Sequence, residues 1–439
     1  MTHAHRRRFP LRLAAVLLLF LAIRPFSLCQ RVFSLDDCTA IALRQNLTVR
    51  GAAAALQLAA LAREEADRSA RPQVRAEGKA LAAPYSGSLG YDPAITDGGQ
   101  YSAQLGVQGL LFDGGARGLK ARQLDTDVER LKIDERRTAR EVRLGVAAAF
   151  YDLLQSLEES GLQRERIEGL SQYLDLVNRL YHGGGVNYTD VLKTQVSLEN
   201  ARLLLEKEVQ AGAAAKLSLA EAMGAPGDTA FSIAAPAEPF DSAAAESLLA
   251  RSAVDSVRSL DLQAARLNIE RSLFSVDIAR SERMPSVSLT GDVGLLTSGD
   301  NLKLPSGERA AVFGYSVGVT VENLLFDWGA TGLRIEQQQL ETEGLRLAYE
   351  RERQTLSASL ERLRGQIRST MRQLRSIRRT LAIAEDNFAL TKAQYAGGGT
   401  SALEVLSAEQ LLADSRLAAV QSRADLRRLL STLEHYYAQ

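Results

Sequence analysis

The stretch YSAQLGVQGLLFDGG, residues 101–115, changes its rule part-way along. Tyr101, Ala103, Leu105, Val107, Gly109 and Leu111 fall on one side of an extended chain, with Ser102, Gln104, Gly106 and Gln108 on the other, because successive strand residues point to opposite faces. From Asp113 the alternation stops, and no proline interrupts the chain before Gly183. A helix over that stretch would be roughly 105 Å long at about 1.5 Å per residue. A strand therefore runs straight into a very long helix.

The same transition recurs. Leu110-Leu111-Phe112-Asp113 returns as Leu324-Leu325-Phe326-Asp327, Gly183-Gly184-Gly185 as Gly397-Gly398-Gly399, Val191-Leu192 as Val405-Leu406 and Arg202 as Arg416, each displaced by 214 residues (327 − 113). A repeat of this kind is the first thing to seek in a chain. Loops tolerate insertions, so two halves with none between these landmarks imply a rigid element whose ends sit at matched heights.

Between Asp327 and Gly397 the apolar residues Leu356, Leu360, Leu363, Ile367, Met371, Leu374 and Leu381 step mostly by threes and fours, the seam of a coiled coil. The first half shows Val142, Val146, Leu153, Leu157, Leu170, Leu174, Val177 and Tyr181. After the glycine triplets the pattern resumes at Val191, Leu198 and Leu205, and at Val405, Leu412 and Ala419. Each half is expected to form a long helix, a sharp glycine turn and a returning helix.

Four alternating segments are expected as strands, at about 73–83 and 101–112 in the first half and about 286–296 and 311–322 in the second. Val74, Ala76, Gly78 and Ala80 oppose Arg75, Glu77 and Lys79; Val287, Leu289, Gly291 and Val293 oppose Ser288, Thr290 and Asp292; Phe313, Tyr315, Val317, Val319 and Val321 oppose Ser316, Gly318, Thr320 and Glu322. The intervening loops, Pro84 to Gly99 and Thr297 to Ala310, are rich in Gly, Asp, Ser and Pro. An ordinary half-buried hairpin explains any one strand. Four of them, in register with the repeat, point to a transmembrane sheet. Four strands cannot close a membrane barrel, and an open edge in hydrocarbon costs several kcal/mol per unpaired group. Several copies must combine: two give eight strands around a filled interior, three give twelve around a lumen.

The rest of the composition agrees with an exported, non-catalytic chain. Lys+Arg and Asp+Glu both number 53 in 439 residues, which removes the electrostatic case for nucleic acid. Arg6, Arg7, Arg8 and Arg12 precede an apolar run from Leu13 to Ile23, too short to span a bilayer and suited to an export signal. Residues 1–29 are read as that signal, with cleavage near Ser27 to Gln30. Cys29 leaves open a lipoprotein signal, although Leu28 and the Arg24-Pro25 interruption fit it poorly. Cys38 is the other cysteine, so no disulfide framework is available. His182 and His435, the histidines beyond the signal, have no metal-ligand spacing. No phosphate-binding loop and no nucleophile elbow occurs. Neither a catalytic residue, a metal site nor a cofactor is expected.

With these motifs in place, the chain resembles the TolC family of outer-membrane factors. The likeness covers both halves: 30–223 as the first repeat, 224–240 as a linker and 241–439 as the second repeat. It rests on the opening helix at Ser34-Leu35-Asp36-Asp37, the strand entries Arg71-Pro72 and Met284-Pro285, the exits Phe112-Asp113-Gly114-Gly115 and Phe326-Asp327-Trp328-Gly329, and the two turns. The turns are Tyr181 to Leu192, with an aromatic residue, glycine and then Asp190-Val191-Leu192, and Tyr395 to Leu406, closing on Glu404-Val405-Leu406. The resemblance implies a homotrimer with a twelve-stranded barrel in outer-membrane lipid, continued by a helical tube through the periplasm. It implies tips, 183–192 and 397–406, that dock a periplasmic adaptor (membrane fusion protein) of an inner-membrane transporter. Gly183, Gly184, Gly185, Val186, Thr189, Asp190, Val191 and Leu192 would form one tip. Gly397, Gly398, Gly399, Thr400, Leu403, Glu404, Val405 and Leu406 would form the other. Gly184 and Gly398 match the tip glycine. The next position, usually apolar in the family, is Gly185 and Gly399 here. The segment 224–240 would belong to a belt around the tube. Glu385 and Asp386 either line the entrance or lie on a solvated helix face. The function expected is a passive efflux or secretion duct; the alternative is a structural or adhesive periplasmic coiled-coil protein.

Overall fold

The structure is a computed structural model and describes residues 31–81, 100–234, 242–250, 259–298 and 312–437. The expected signal 1–29 with Cys29, Pro84 to Gly99, 235–240 of the linker and 299–310 lie outside the described residues.

A short strand β1 (Arg31–Phe33) leads into helices α1 (Leu35–Gln45) and α2 (Leu47–Ser69). The start of α1 follows from its sequence: the Asp37 amide donates to Ser34 Oγ at 3.2 Å and the Ser34 amide donates to Asp37 Oδ2 at 3.0 Å. This capping box satisfies two amides that a helix start leaves open. It also holds the exposed Asp37 carboxyl below its usual range. Strands β2 (Gln73–Leu81) and β3 (Gln100–Asp113) come next, then α3 (Ala116–His182) and α4 (Tyr188–Ala222). Strand β4 (Phe231–Ile233) pairs in parallel with β1, so the expected linker carries a strand that ties the start of the chain to its middle. The second half has α5 (Ser242–Ala250), α6 (Leu260–Ser281), β5 (Ser286–Ser298), β6 (Val312–Glu322), α7 (Ala330–Ala396) and α8 (Ala402–Tyr437).

Both long helices, α3 and α7, have 67 residues, each about 100 Å long. The repeat therefore reports rods of equal length. The four long strands form one antiparallel sheet in the order β2-β3-β5-β6. Helices α2, α3, α6 and α7 continue from these strands in the same lateral order, each packed on the next. Farther along, α4 packs on α3, α8 on α7, and α3 on α8.

The three largest apolar clusters among the described residues hold the rods together. One joins Cys38, Val146, Phe150, Leu153, Leu219 and Phe231. The second follows the expected α7 seam, Leu356, Leu360, Leu363, Ile367, Met371 and Leu374, against Leu426 and Leu433. The third joins Tyr173, Val177, Val191, Tyr395 and Val405 at the tips. Each fully buried large side chain contributes roughly 1.5–3 kcal/mol.

The structure corrects three details. Leu157 and Tyr181, read as seam residues, are 48% and 40% exposed. Tyr181 packs instead on Tyr188 at the start of α4, with ring centroids 5.5 Å apart. Leu111 does not continue the apolar alternation: it is the extra residue of a bulge, and Phe112 takes the next apolar position opposite Val287. Thr297 and Ser298, read as loop, pair with Tyr101 and Gln100 as the end of β5.

Candidate functional site

The sheet wall is built from like paired with like. Val74 opposes Val107, Ala76 opposes Leu105, Leu105 opposes Val293, and Val293 opposes Tyr315. The other face pairs Glu77 with Gln104, Gln108 with Thr290, and Asp292 with Ser316. The apolar faces read separately from four segments thus merge into one. Among the described residues nothing covers much of that face, with Val317 75% exposed and Tyr315 83% exposed. Strands β2 and β6 end the sheet with no further strand beside them among the described residues.

Strand gives way to helix through the same device twice. Asp113 Oδ1 accepts from the Gly115 amide at 3.2 Å and Oδ2 from the Arg117 amide at 2.9 Å. Asp327 Oδ1 accepts from Gly329 at 3.0 Å and Oδ2 from Thr331 at 2.7 Å. Each Asp serves the open amides at the start of a long helix, which explains its place in the repeated motif. The Thr331 and Gly329 donors pull the Asp327 carboxyl below its ordinary range.

The two tips are also near copies. The Gly184 amide donates to Tyr181 O at 3.0 Å and the Gly185 amide to Leu180 O at 2.9 Å; Gly398 and Gly399 repeat these bonds to Tyr395 and Gln394 at 3.0 and 2.9 Å. This is a Schellman helix end, which needs one left-handed residue. That residue is Gly184, with φ 75°, and Gly398, with φ 76°. The other tip glycines have ordinary φ, so turn geometry requires one glycine in each triplet. A Cβ on Gly185 or Gly399 would meet nothing closer than 3.5 Å.

The expected tip residues divide by environment. Val191 and Val405 are buried in the cluster between the hairpins. Val186, Asp190, Thr400 and Leu406 are half-buried; the six glycines, Thr189, Leu192, Leu403 and Glu404 are exposed. An open groove lies beside the tips between α4 and α8, lined by Thr189, Leu192, Val196, Leu403, Leu406 and Gln410. Glu385 reaches Arg416 at 3.5 Å across the second hairpin, while Asp386 is exposed.

Sequence reasoning missed what fastens one hairpin to the other. Arg166 on α3 forms two bonds to Glu409 on α8. Tyr173 on α3 packs on Tyr395 of α7, ring centroids 5.5 Å apart. Burial raises the pKa of both phenols; the other hydroxyl reinforces this at Tyr173, and Asp190 does so at Tyr395. Neither Arg166 nor Glu409 repeats: their counterparts 214 residues away are Thr380 and Gln195. A search for repeats therefore passes over them. Among the described residues no group of three His, Cys, Asp or Glu is placed to hold a metal ion, and no helix is long and apolar enough to cross a membrane.

The family model for outer membrane efflux proteins matches residues 40–225 and 256–438. The chain belongs to the outer membrane efflux protein family. The match takes in both repeats of this efflux-family chain, including both tips and all four long strands. Among solved structures it is similar to the outer membrane protein VceC of Vibrio cholerae, with 18% identity over 92% of this chain and 95% of that one and a TM-score of 0.78. It is similar to the CmeC outer membrane channel of Campylobacter jejuni, with 15% identity, 92% and 85% coverage and a TM-score of 0.74. The MtrE outer membrane channel of Neisseria gonorrhoeae, solved in its open state, gives 17% identity, 92% and 88% coverage and a TM-score of 0.71. Such likenesses establish the shared fold. Among curated protein sequences none matches the chain.

Proposed function

We propose that this chain is one subunit of a passive exit duct for efflux or type I secretion. Three copies close a twelve-stranded barrel in the outer membrane, and their helices continue it as a tube through the periplasm. The tips at 183–192 and 397–406 receive a periplasmic adaptor that links the tube to an inner-membrane transporter. The energy for transport comes from that transporter, and the duct performs no catalysis of its own.

One observation carries the reading: a four-stranded sheet, apolar on one face and polar on the other, ends in two edges with no further strand beside them among the described residues, and stands at the head of helices about 100 Å long. A structural or adhesive rod has no use for such a sheet, and membership of the efflux family favours the duct over it. The purified protein in planar lipid bilayers tests the proposal. Discrete, long-lived conductance steps are expected. A protein that is fully inserted yet passes no current would contradict it.

A further inference from the structure

We infer that β6 of one copy pairs with β2 of a second copy in a register dictated by the chain's own repeat, and that Asn323–Asp327 becomes bulged strand on assembly. The inference rests on the proposed barrel and names the contact that closes it.

The register follows from pairings inside one chain. Val107 opposes Val74 and Val321 opposes Val287, so β6 stands for β3 after a shift of 214 residues (321 − 107), and β5 stands for β2 after a shift of 213 (287 − 74). The junction of the two halves is β3 against β5. There Gln108 faces Thr290, Gly109 faces Leu289, Leu110 faces Ser288, Leu111 is skipped, and Phe112 faces Val287. Transferring that junction to the outer edges pairs Glu322 with Glu77 of the second copy, Asn323 with Ala76 and Leu324 with Arg75. Leu325 becomes the bulge, and Phe326 meets Val74. Upstream, Thr320 meets Lys79 and Val321 meets Gly78.

This register keeps the two faces separate along β6 as far as Val321. Beyond it Asn323 joins the apolar side, Leu324 the polar side, and Glu322 meets Glu77 as a like-charged pair that costs some stability. Val319 falls opposite Ala80, Val321 opposite Gly78 and Phe326 opposite Val74, all on the apolar side. Thr320 and Lys79 share the polar side. A slip of one residue would turn every apolar side chain of β6 toward the polar face. The present state of the motif agrees. Leu110–Asp113 is strand, because β5 lies beside it, whereas its copy Leu324–Asp327 has no partner and is not strand. Leu325 and Phe326 are 88% and 69% exposed.

The helices supply a second, independent observation. Within the chain, α3 meets α6 through polar groups: Gln123 Nε2 donates to Ser275 Oγ at 2.8 Å, and Arg271 pairs with Asp127 at 2.8 Å. At the outer edges the counterparts of Arg271 and Ser275 on α2 are Leu58 and Ala62; those of Gln123 and Asp127 on α7 are Gln337 and Glu341, and Leu340 stands beside them in place of Thr126. Both leucines are exposed, as are Leu61 on α2 and Leu333 and Leu347 on α7. The two outer edges thus carry exposed leucines among polar residues, with Leu333, Leu340 and Leu347 seven residues apart on α7, the chemistry of a helix contact between copies. The equivalence stops at Trp328, the counterpart of Gly114. A Cβ on Gly114 would lie 2.5 Å from Met284 Cβ, and Met284 corresponds to Arg71. The turn after the bulge must stand farther from the second copy than its twin stands from Met284.

Cysteine pairs in the full-length, membrane-inserted protein test the register. Lys79→Cys with Thr320→Cys is expected to form covalent oligomers on mild oxidation at least about tenfold faster than Lys79→Cys with Ser316→Cys, which lies about 13 Å along the strand. The three single variants control for the natural cysteines and are expected to give no ladder. Ala80→Cys with Val319→Cys provides the same reading should Lys79 prove necessary for assembly. Faster linkage through Ser316 would overturn the register and leave the barrel standing. No linkage at any pair in a heat-sensitive membrane oligomer would overturn the β2–β6 contact. A membrane-free monomer from the unsubstituted protein would overturn this inference and the barrel together.

Discussion

Arg166 and Glu409 meet in a two-pronged ion pair, Nε to Oε1 at 2.8 Å and Nη2 to Oε2 at 3.0 Å, with only 11% and 12% of their side chains exposed. Arg166 Nη2 also donates to Gln410 Oε1 at 2.6 Å. The pair joins the first helical hairpin to the second. A line of weaker pairs continues along the same two helices, with Glu158 meeting Arg423 and Arg427, and Asp152 meeting Arg428. A planar guanidinium facing a carboxylate fixes geometry as well as charge. Removing one partner leaves the other charge buried and unpaired.

Arg166→Ala is therefore expected to destabilise the folded oligomer by about 3–5 kcal/mol. The double variant Arg166→Leu with Glu409→Leu is expected to lose much less, because no uncompensated charge remains. Denaturant unfolding of the detergent-extracted protein measures both. A double variant as unstable as the single one would show that the pair is not the fastening.

The tips make a contrast within one triplet. Gly184→Ala and Gly398→Ala place a Cβ on a left-handed residue and are expected to cost roughly 1–2 kcal/mol each. Amide exchange should speed up at the last turns of α3 and α7. Gly185→Leu and Gly399→Leu have ordinary φ and open surroundings and are expected to leave stability unchanged within about 0.5 kcal/mol. Bulky residues at Gly184 and Gly398 are expected to abolish export without loss of the oligomer. Undiminished export would remove the docking assignment.

Glu208 on α4 carries a pH-dependent cost. Burial and the neighbouring Glu159 carboxyl raise its pKa above 4.5, against a small opposing effect of Lys207. The folded state thus holds a proton that the unfolded chain has released, and stability falls as pH rises from about 4.5 through the raised value. Glu208 remains partly exposed, so Glu208→Gln is expected to stabilise by only about 0.5–1 kcal/mol at pH 7. The gain should vanish near pH 4. A gain equal at both values would contradict the raised Glu208 carboxyl.

Cys38 is fully buried, and burial, aided by Asp37, pushes its thiol up to about 11. At pH 7.5 it is expected to resist maleimide in the folded protein and react on unfolding. Labelling of the native protein within minutes would show that the cluster around Phe150 opens.

The repeat made the rods legible before any coordinate. Asp113 to Gly183 and Asp327 to Gly397 predict two helices of one length, and α3 and α7 have one length. The alternating segments predicted the strands because one solvated face and one apolar face leave a period of two. The order in which hairpins meet is not a local property. The β3–β5 junction, the pairing of Arg31–Phe33 with Phe231–Ile233, and the bulge at Leu111 all depend on residues distant in sequence. Tyr181 and Tyr395 occupy the same place in the repeat. Yet Tyr395 packs on Tyr173, while Tyr181 stands at an open edge beside Tyr188. Identical motifs differ there because one edge is covered within the chain and the other is not.

The most direct test is electrophoresis of the outer-membrane fraction in mild detergent, with and without boiling. Strands shared between copies predict a band near three times the monomer mass that collapses to the monomer on heating. A single monomer band under both conditions, from protein that washes off the membrane, would contradict the shared pore wall.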